Sequence, residues 1–186
     1  MSTSIYIDNY SQNPYGYLSR LYTQTSSSTP VTNTTVETSL LDGGLGTLTI
    51  PANGLNVGDS FHAVATGHIN SVNNHTLQIR IKSGSIVLAD TGLINMFATT
   101  NRHWKLDVAF TVRAIGVSGV AKIATGGTFF YTKNAATTFE GSNFSTETST
   151  GFDTTISNTL SITAQWGTAN AGDSIYSEIF TLNKTY

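Results

Sequence analysis

The stretch that most constrains this chain is residues 104–114, WKLDVAFTVRA. Trp104, Leu106, Val108, Phe110, Val112 and Ala114 alternate there with Lys105, Asp107, Ala109, Thr111 and Arg113. A period of two gathers the apolar set on one face of a strand, whereas a helix would scatter it around its axis. Eleven residues is long for a strand, so the segment crosses most of a domain. The rest of the chain must supply what covers its apolar face.

Several other segments repeat the pattern. Phe61, Ala63, Ala65, Gly67 and Ile69 share one face, and Leu77, Ile79 and Ile81 alternate with Gln78, Arg80 and Lys82. The run 156–166 alternates through Leu160, Ile162, Ala164 and Trp166, and a last strand covers 175–182. Shorter strands are expected at 17–25, 32–41, 46–50, with Leu48 and Ile50 inward, and 86–89. The run 120–132 is expected to bulge at Gly126-Gly127. Residues 93–101 and the polar stretch 133–153 are expected to be loops; the second is long enough to suggest an interaction surface. No helix-period segment with caps is visible, so the fold class is all-β, an antiparallel β-sandwich. Its expected core is Phe61, Leu77, Ile79, Ile81, Leu106, Val108, Phe110, Val112, Ile156, Leu160, Ile162 and Trp166.

Two turns share a layout, Val57-Gly58-Asp59-Ser60-Phe61 and Ala171-Gly172-Asp173-Ser174-Ile175. Glycine permits the turn and aspartate accepts backbone N–H groups within it. The recurrence suits a Greek-key or jelly-roll sandwich.

Composition narrows the function classes. Only 11% of the 186 residues are charged and the net charge is −2, against roughly 25% charged in an average domain. A surface of Ser, Thr, Asn and Gly steers ligands weakly and carries no basic footprint for nucleic acid. It also repels neighbours weakly. With no cysteine, disulfides and thiolate metal sites are excluded. No apolar run approaches the ~18 residues of a membrane span. The opening MSTSIYIDNYSQNPYGY lacks the cationic end and apolar stretch of a signal peptide. The length suits one domain.

Candidate chemistry is sparse. His62 and His68 lie on one strand face, roughly 20 Å apart, too far for a shared metal. With His75 and His103 they are expected to be structural, and no cofactor or metal is expected. The carboxylates, among them Asp59, Asp90, Asp107 and Asp173, are spread singly and nominate no glycosidase pair. Ser118 in GVSGV lacks the strand-to-helix turn of a hydrolase nucleophile, and Gly43-Gly44-Leu45-Gly46 lies between strands rather than at a helix start. The four sequons, at Asn33, Asn74, Asn143 and Asn183, are the chance matches expected of such a composition. No enzymatic activity is expected.

The amino end differs. Tyr6, Tyr10, Tyr15, Tyr17 and Tyr22 crowd it, beyond what one strand can bury, and tyrosine is enriched where surfaces meet. Residues 1–15 read as an arm ahead of a sandwich domain at 16–186. Ile5, Tyr6, Ile7, Tyr10 and Tyr15 are its expected assembly contacts.

The segments TSSSTPVTNTTVETSLLDGGLGTLTIPANGLNVGDSFHAVATG and LQIRIKSGSIVLADTG, with the 104–119 run, resemble single jelly-roll structural domains of double-stranded DNA viruses and phages. The likeness covers roughly residues 20–132 and the last strand, and its motifs are structural rather than catalytic. The resemblance implies a single jelly roll and a virion component without cofactors that works by self-assembly. It points to a penton (vertex) or minor capsid protein, as a homo-oligomer with a pentamer favoured over a trimer, among neighbouring capsid proteins. The alternative it implies is a trimeric fibre or spike head that binds a host-surface receptor or glycan.

Overall fold

The computed structural model describes residues 19–134 and 138–186. Ile5, Tyr6, Ile7, Tyr10, Tyr15 and Tyr17 therefore lie outside the described residues.

Fourteen strands follow one another: β1 (Ser19–Gln24), β2 (Val31–Thr32), β3 (Thr38–Ser39), β4 (Gly44–Gly46), β5 (Thr49–Ile50), β6 (Ser60–Ser71), β7 (Thr76–Ser83), β8 (Ile86–Asp90), β9 (Ile94–Asn95), β10 (Thr99–Ala114), β11 (Lys122–Thr132), β12 (Phe139–Thr148), β13 (Asn158–Trp166) and β14 (Ser174–Lys184). They form two antiparallel sheets. The eight-stranded sheet runs β12-β11-β10-β6-β14-β1-β4 with β2 beside β14; the six-stranded sheet runs β3-β13-β7-β8, with β5 beside β13 and β9 beside β7. The protein is an all-β sandwich. The chain passes between sheets from β6 to β7 and again from β13 to β14, and these two passages lie side by side, β6 on β14 and β7 on β13. That paired passage is a wound element; β10, β11 and β12 follow one another as a plain meander.

The alternating segments bury the faces that their period assigns. Trp104, Leu106, Val108, Phe110 and Val112 of β10 meet Leu77, Ile79 and Ile81 of β7 and Ile162, Ala164 and Trp166 of β13 in one core. The strand β10 begins five residues earlier than its alternation shows, at Thr99, so part of the expected 93–101 loop is strand; Ile94–Asn95 adds β9.

Other expectations are corrected. Residues 139–148, the middle of the expected 133–153 loop, are a strand instead: β12 pairs with β11 over its whole length, from Ile123↔Thr148 to Thr132↔Phe139. As the last strand of its sheet it needs little apolar burial, and its half-buried positions, Glu140, Ser142, Phe144 and Thr148, include one apolar residue. The 32–41 strand survives only as β2 and β3, because threonine hydroxyls satisfy the backbone locally. Thr34 Oγ1 accepts from Val36 N at 3.0 Å and Thr38 Oγ1 donates to the Val36 carbonyl at 3.0 Å. Residues 46–50 split between β4 and β5, with Leu48 and Ile50 half-buried against the core. Ile156 is exposed, because β13 begins two residues later. Tyr22 is buried, its ring 5.9 Å from that of Phe180 and its hydroxyl donating to the Asp42 carbonyl.

The bulge expected at Gly126-Gly127 is absent. Both residues keep register with β10, opposite Ala109 and Val108, and the irregularity falls at Val112/Ala114. Gly127 is needed for a different reason: a Cβ there would lie 2.4 Å from the Asp107 carbonyl oxygen and 2.8 Å from the Phe144 ring. Gly67 is tighter still. A bulge in β14 between Ser177 and Ile179 presses the Tyr176 carbonyl towards β6, and a Cβ on Gly67 would lie 2.0 Å from that oxygen. The same oxygen accepts the Trp104 indole N–H at 3.0 Å, and the His68 carbonyl accepts it at 3.2 Å.

The two Gly-Asp-Ser turns are closed alike. Asp59 N donates to the Asn56 carbonyl and Asp173 N to the Asn170 carbonyl, each at 3.1 Å. They start β6 and β14, which run antiparallel, so the two turns sit at opposite ends of the sandwich.

Two substitutions test this packing by equilibrium denaturation. Gly67→Ala forces the β6 and β14 backbones apart and is expected to cost at least about 3 kcal/mol, beyond the ~1 kcal/mol range of strand propensities. Phe110→Ala is expected to cost about 3–5 kcal/mol. A loss under about 1 kcal/mol for Phe110→Ala would mean that the β10 face is wrongly assigned.

Candidate assembly surface

Most charged side chains near the sheets are absorbed in local pairs. On the outer face of the six-stranded sheet, Arg80 donates to Glu37 Oε2 at 3.0 Å, Gln165 Oε1 at 2.7 Å and Asp90 Oδ2 at 3.3 Å. Lys82 Nζ and Thr163 Oγ1 reach Glu37 Oε1 at 2.9 and 2.7 Å. The Thr163 hydroxyl, with Lys82 and Arg80, holds the Glu37 carboxyl below the usual carboxylate range despite partial burial.

The expected histidine and aspartate positions fall into separate groups. His62 Nε2 lies 2.7 Å from Asp107 Oδ1, and Lys105 Nζ lies 3.0 Å from Asp107 Oδ2. Burial alone would raise the Asp107 carboxyl, but the hydrogen bonds and charges of His62 and Lys105 outweigh it and hold the carboxyl low. His68 Nδ1 lies 2.8 Å from Asn101 Oδ1 and its Nε2 3.2 Å from Glu178, with the His103 ring at 4.4 Å and Tyr176 stacked at 5.7 Å. At one end of the sandwich, fully buried Asp173 accepts from Val72 N at 2.8 Å and sits 2.6 Å from His75 Nδ1. At the other, Asp59 accepts from Asn56 N at 2.9 Å and pairs with Lys184 at 2.7 Å. Among the described residues no three His, Asp or Glu side chains could hold one metal ion. No helix among them is long and apolar enough to cross a membrane.

The loops at this second end, where β6 begins and β14 finishes, are almost without charge. Residues 51–58, 115–121 and 149–157 make its loops and contain a single charged side chain, Asp153. That carboxylate is turned inward on its own loops. It accepts from the Thr155 hydroxyl at 2.6 Å, from Thr155 N at 2.8 Å and from Ser118 N at 3.3 Å, and these bonds lower its pKa. Projecting from the same end are Val57, Ile115, Val117, Val120 and Ile156, each between 45% and 62% exposed, with Tyr186 more exposed still. Scattered exposed aliphatics are ordinary; a group of them on loops with a single charged side chain at one end is the pattern of a contact surface.

The loops that carry these side chains are tied to one another. Asn53 N donates to the Thr154 carbonyl at 2.8 Å, Thr154 N to the Gly116 carbonyl at 2.9 Å, and Gly116 N to Thr154 Oγ1 at 2.8 Å. Gly58 N donates to the Val112 carbonyl at 2.8 Å and Ser60 N to the Tyr186 carbonyl at 3.1 Å. The aliphatic tips are thus held on a braced frame, which lowers the ordering cost of binding.

At the same end the two sheets line a partly open apolar cavity of about 60 Å³, bordered by residues such as Leu48, Ile50, Leu55, Phe110, Phe152 and Leu160. Its two polar neighbours, Ser83 and Asn158, are bonded to each other at 2.8 Å. Sequence reasoning did not find this end. Its signal was the aliphatic content of IGVSGVA and of the loop containing Ile156, in segments whose glycines mark them as turns. The arm residues that it named instead lie outside the described residues.

The Glu37 cluster gives a pH test. A lowered folded-state carboxyl contributes stability that is complete above the ordinary range and disappears as pH falls through the folded value. Glu37→Gln is expected to cost about 1–2 kcal/mol near neutrality, and the gap to the parent chain is expected to close below about pH 4. Chemical denaturation at a series of pH values reads this directly; a gap that widens in acid would contradict it.

No protein-family model, no curated protein and no solved structure matches this chain.

Proposed function

We propose that this chain is a structural protein of a virus particle, a capsid component that acts by assembling with copies of itself. The observation that carries the reading is the braced end of the sandwich, whose loops hold one charged side chain, with its exposed Val57, Ile115, Val117, Val120 and Ile156. A hydrogen-bonded frame with aliphatic tips buries area against a complementary surface at little entropic cost. The low overall charge lets copies pack closely without mutual repulsion. Together with the resemblance to viral jelly-roll domains, this favours a penton or minor capsid subunit arranged around a symmetry axis, five copies before three. The role needs no catalysis and no cofactor.

A second reading, the head of a trimeric spike that binds a host-surface receptor or glycan, draws on a different feature. His68, His103 and Tyr176 form a cluster of rings on the eight-stranded sheet, beside the Asn70 and Asn101 amides. Rings flanked by amide donors and acceptors are the chemistry that receives a sugar.

The solution mass of the purified chain decides between these readings. Five copies are expected for the vertex reading, and three copies would favour the spike. Val117→Asp together with Val120→Asp places two charges on the exposed end, where effects on folding are expected to stay within about 0.5 kcal/mol per site. The double variant is expected to keep its β-sheet circular dichroism and to run as a single copy. A parent chain that is already a single copy, or a variant that assembles normally, would overturn the proposal.

A further inference from the structure

The described residues leave four rims on the two sheets, and three of them are short or already occupied. The eight-stranded sheet ends in β4 and β12, the six-stranded sheet in β3 and β8. The strand β4 has three residues and a positive φ of 97° at Gly46, and β3 has two residues. The rim of β8 is taken: the Leu88 carbonyl accepts the Thr148 hydroxyl and the Thr91 carbonyl accepts the Ser142 hydroxyl, each at 3.2 Å. The strand β12 is different. It is ten residues long, keeps one register with β11 without a bulge, and contains neither proline nor lysine. Sheet proteins ordinarily blunt such a rim, because its unpaired N–H and C=O groups are a template for another strand.

The direction of its backbone groups follows from the turn that precedes it. Lys133 N donates to the Thr138 carbonyl at 3.0 Å, in the register that β11 and β12 continue. In an antiparallel ladder such bonded pairs alternate with pairs whose backbone groups point away from the partner strand. The even-numbered residues of β12 therefore bond to β11, while Phe139, Gly141, Asn143, Ser145 and Glu147 aim their N–H and C=O groups outward. All of these outward residues are exposed. Among the described residues no strand pairs with that side of β12. Its two charges are engaged on their own sheet, Glu140 with Lys133 and Glu147 with Arg113, each at 2.7 Å.

We infer that the outward rim of β12 is the docking site for β12 of a second copy, joined antiparallel about a two-fold axis through Asn143. The strand itself points to this occupant. An outward residue must meet an outward residue, and centring the joint on Asn143 sets Phe139 opposite Glu147 and Gly141 opposite Ser145. Every outward N–H and C=O from 139 to 147 then finds a partner, whereas a slip of two residues leaves some unpaired at the ends. In the same register Glu140 faces Thr146 and Glu147 faces Phe139, so no like charges meet across the joint. The contact is isologous and saturates at two copies. It uses a surface separate from the exposed loops and does not depend on them. With little apolar area it sits at the weak end of protein interfaces, so the copy number of the dilute chain stays with the loops.

Because the chain has no cysteine, a single introduced thiol reports the joint without background. In the full chain carrying Asn143→Cys, the two Cα atoms on the axis stand about 5.5 Å apart, within reach of a disulfide. In the full chain carrying Ser145→Cys they stand about 14 Å apart, out of reach. Both are to be oxidised at high protein concentration and run under denaturing, non-reducing conditions. Linked pairs are expected at least about tenfold faster from Asn143→Cys, as the effective concentration of docked thiols dictates. Chains carrying Phe139→Cys and chains carrying Glu147→Cys, once mixed, are expected to link to each other in preference to their own kind. Ser145→Pro, added to the Asn143→Cys chain, removes an outward N–H without touching a bond to β11. It is expected to keep the β-sheet circular dichroism and to slow linkage about tenfold. Equal linkage at positions 143 and 145, self-preference in the 139 and 147 mixture, or linkage unchanged by Ser145→Pro in a folded chain overturns the inference. Should Ser145→Pro unfold the chain, the comparison of positions 143 and 145 decides alone. Solution mass before oxidation separates the two proposals. A single-copy protein that links through position 143 refutes the loop contact alone, and an assembled protein that does not link refutes the strand joint alone.

Discussion

The structure depends on the close approach of three backbones in the eight-stranded sheet, β10, β6 and β14. Trp104 on β10 is fully buried, and its indole N–H must find an acceptor. It finds two, the His68 and Tyr176 carbonyls, and the Tyr176 carbonyl is available because β14 bulges after Ser177. That bulge needs Gly67 opposite it, where any side chain would collide with the same oxygen. One apolar ring, one bulge and one glycine therefore fix the register of the three strands. The six-stranded sheet then has a defined face to cover, and β7 and β13 supply it through Leu77, Ile79, Ile81 and Ile162.

That register also decides where the turns point. The sequences Asn56-Val57-Gly58-Asp59-Ser60 and Asn170-Ala171-Gly172-Asp173-Ser174 open β6 and β14, and both close on an asparagine carbonyl. Since the two strands are antiparallel, one local device is used at both ends with different surroundings. At the Asp173 end the carboxylate is fully buried beside His75 and Val72, which ties the β6–β7 and β13–β14 connections together. At the Asp59 end the carboxylate pairs with Lys184, and the residue before the glycine is the exposed Val57 rather than Ala171. The polar half of the motif is satisfied in both places, so the difference between the two ends lies in the side chains around it.

The sandwich was legible in the sequence wherever a strand has one covered and one open face. In β6, β7 and β10 the alternation marks the faces, and Phe61, Leu77 and Leu106 are buried where the period puts them. It failed where that physical condition fails. The strand β12 sits at the rim of its sheet, and its backbone pairing asks almost nothing of its side chains, so FEGSNFSTET carries no periodic signal. Ile156 shares the parity of Ile162 but precedes the strand, and parity says nothing about where pairing starts. The Glu37–Arg80 pair joins residues 43 apart through a sheet edge, a distance that local pattern does not reach. The exposed end was hidden for a related reason: glycine and serine in its loops announce turns, and the valines between them look incidental until the turns are seen side by side.

The same end shows how stability and contact divide the work between side chains and backbone. A loop that presents Val117 and Val120 to water gains nothing from them in the free protein. Its order must come from elsewhere, and it comes from main-chain bonds through Gly116, Thr154 and Asn53, with Asp153 turned back onto Thr155 and Ser118. The aliphatic side chains are thereby left free for an external surface. The same end holds an apolar cavity, lined by Phe61, Phe110 and Phe152 together with Leu48, Ile50 and Leu160. Filling it from within would take a larger residue at one of those positions. Leaving it open forfeits the contacts that its lining side chains would otherwise make.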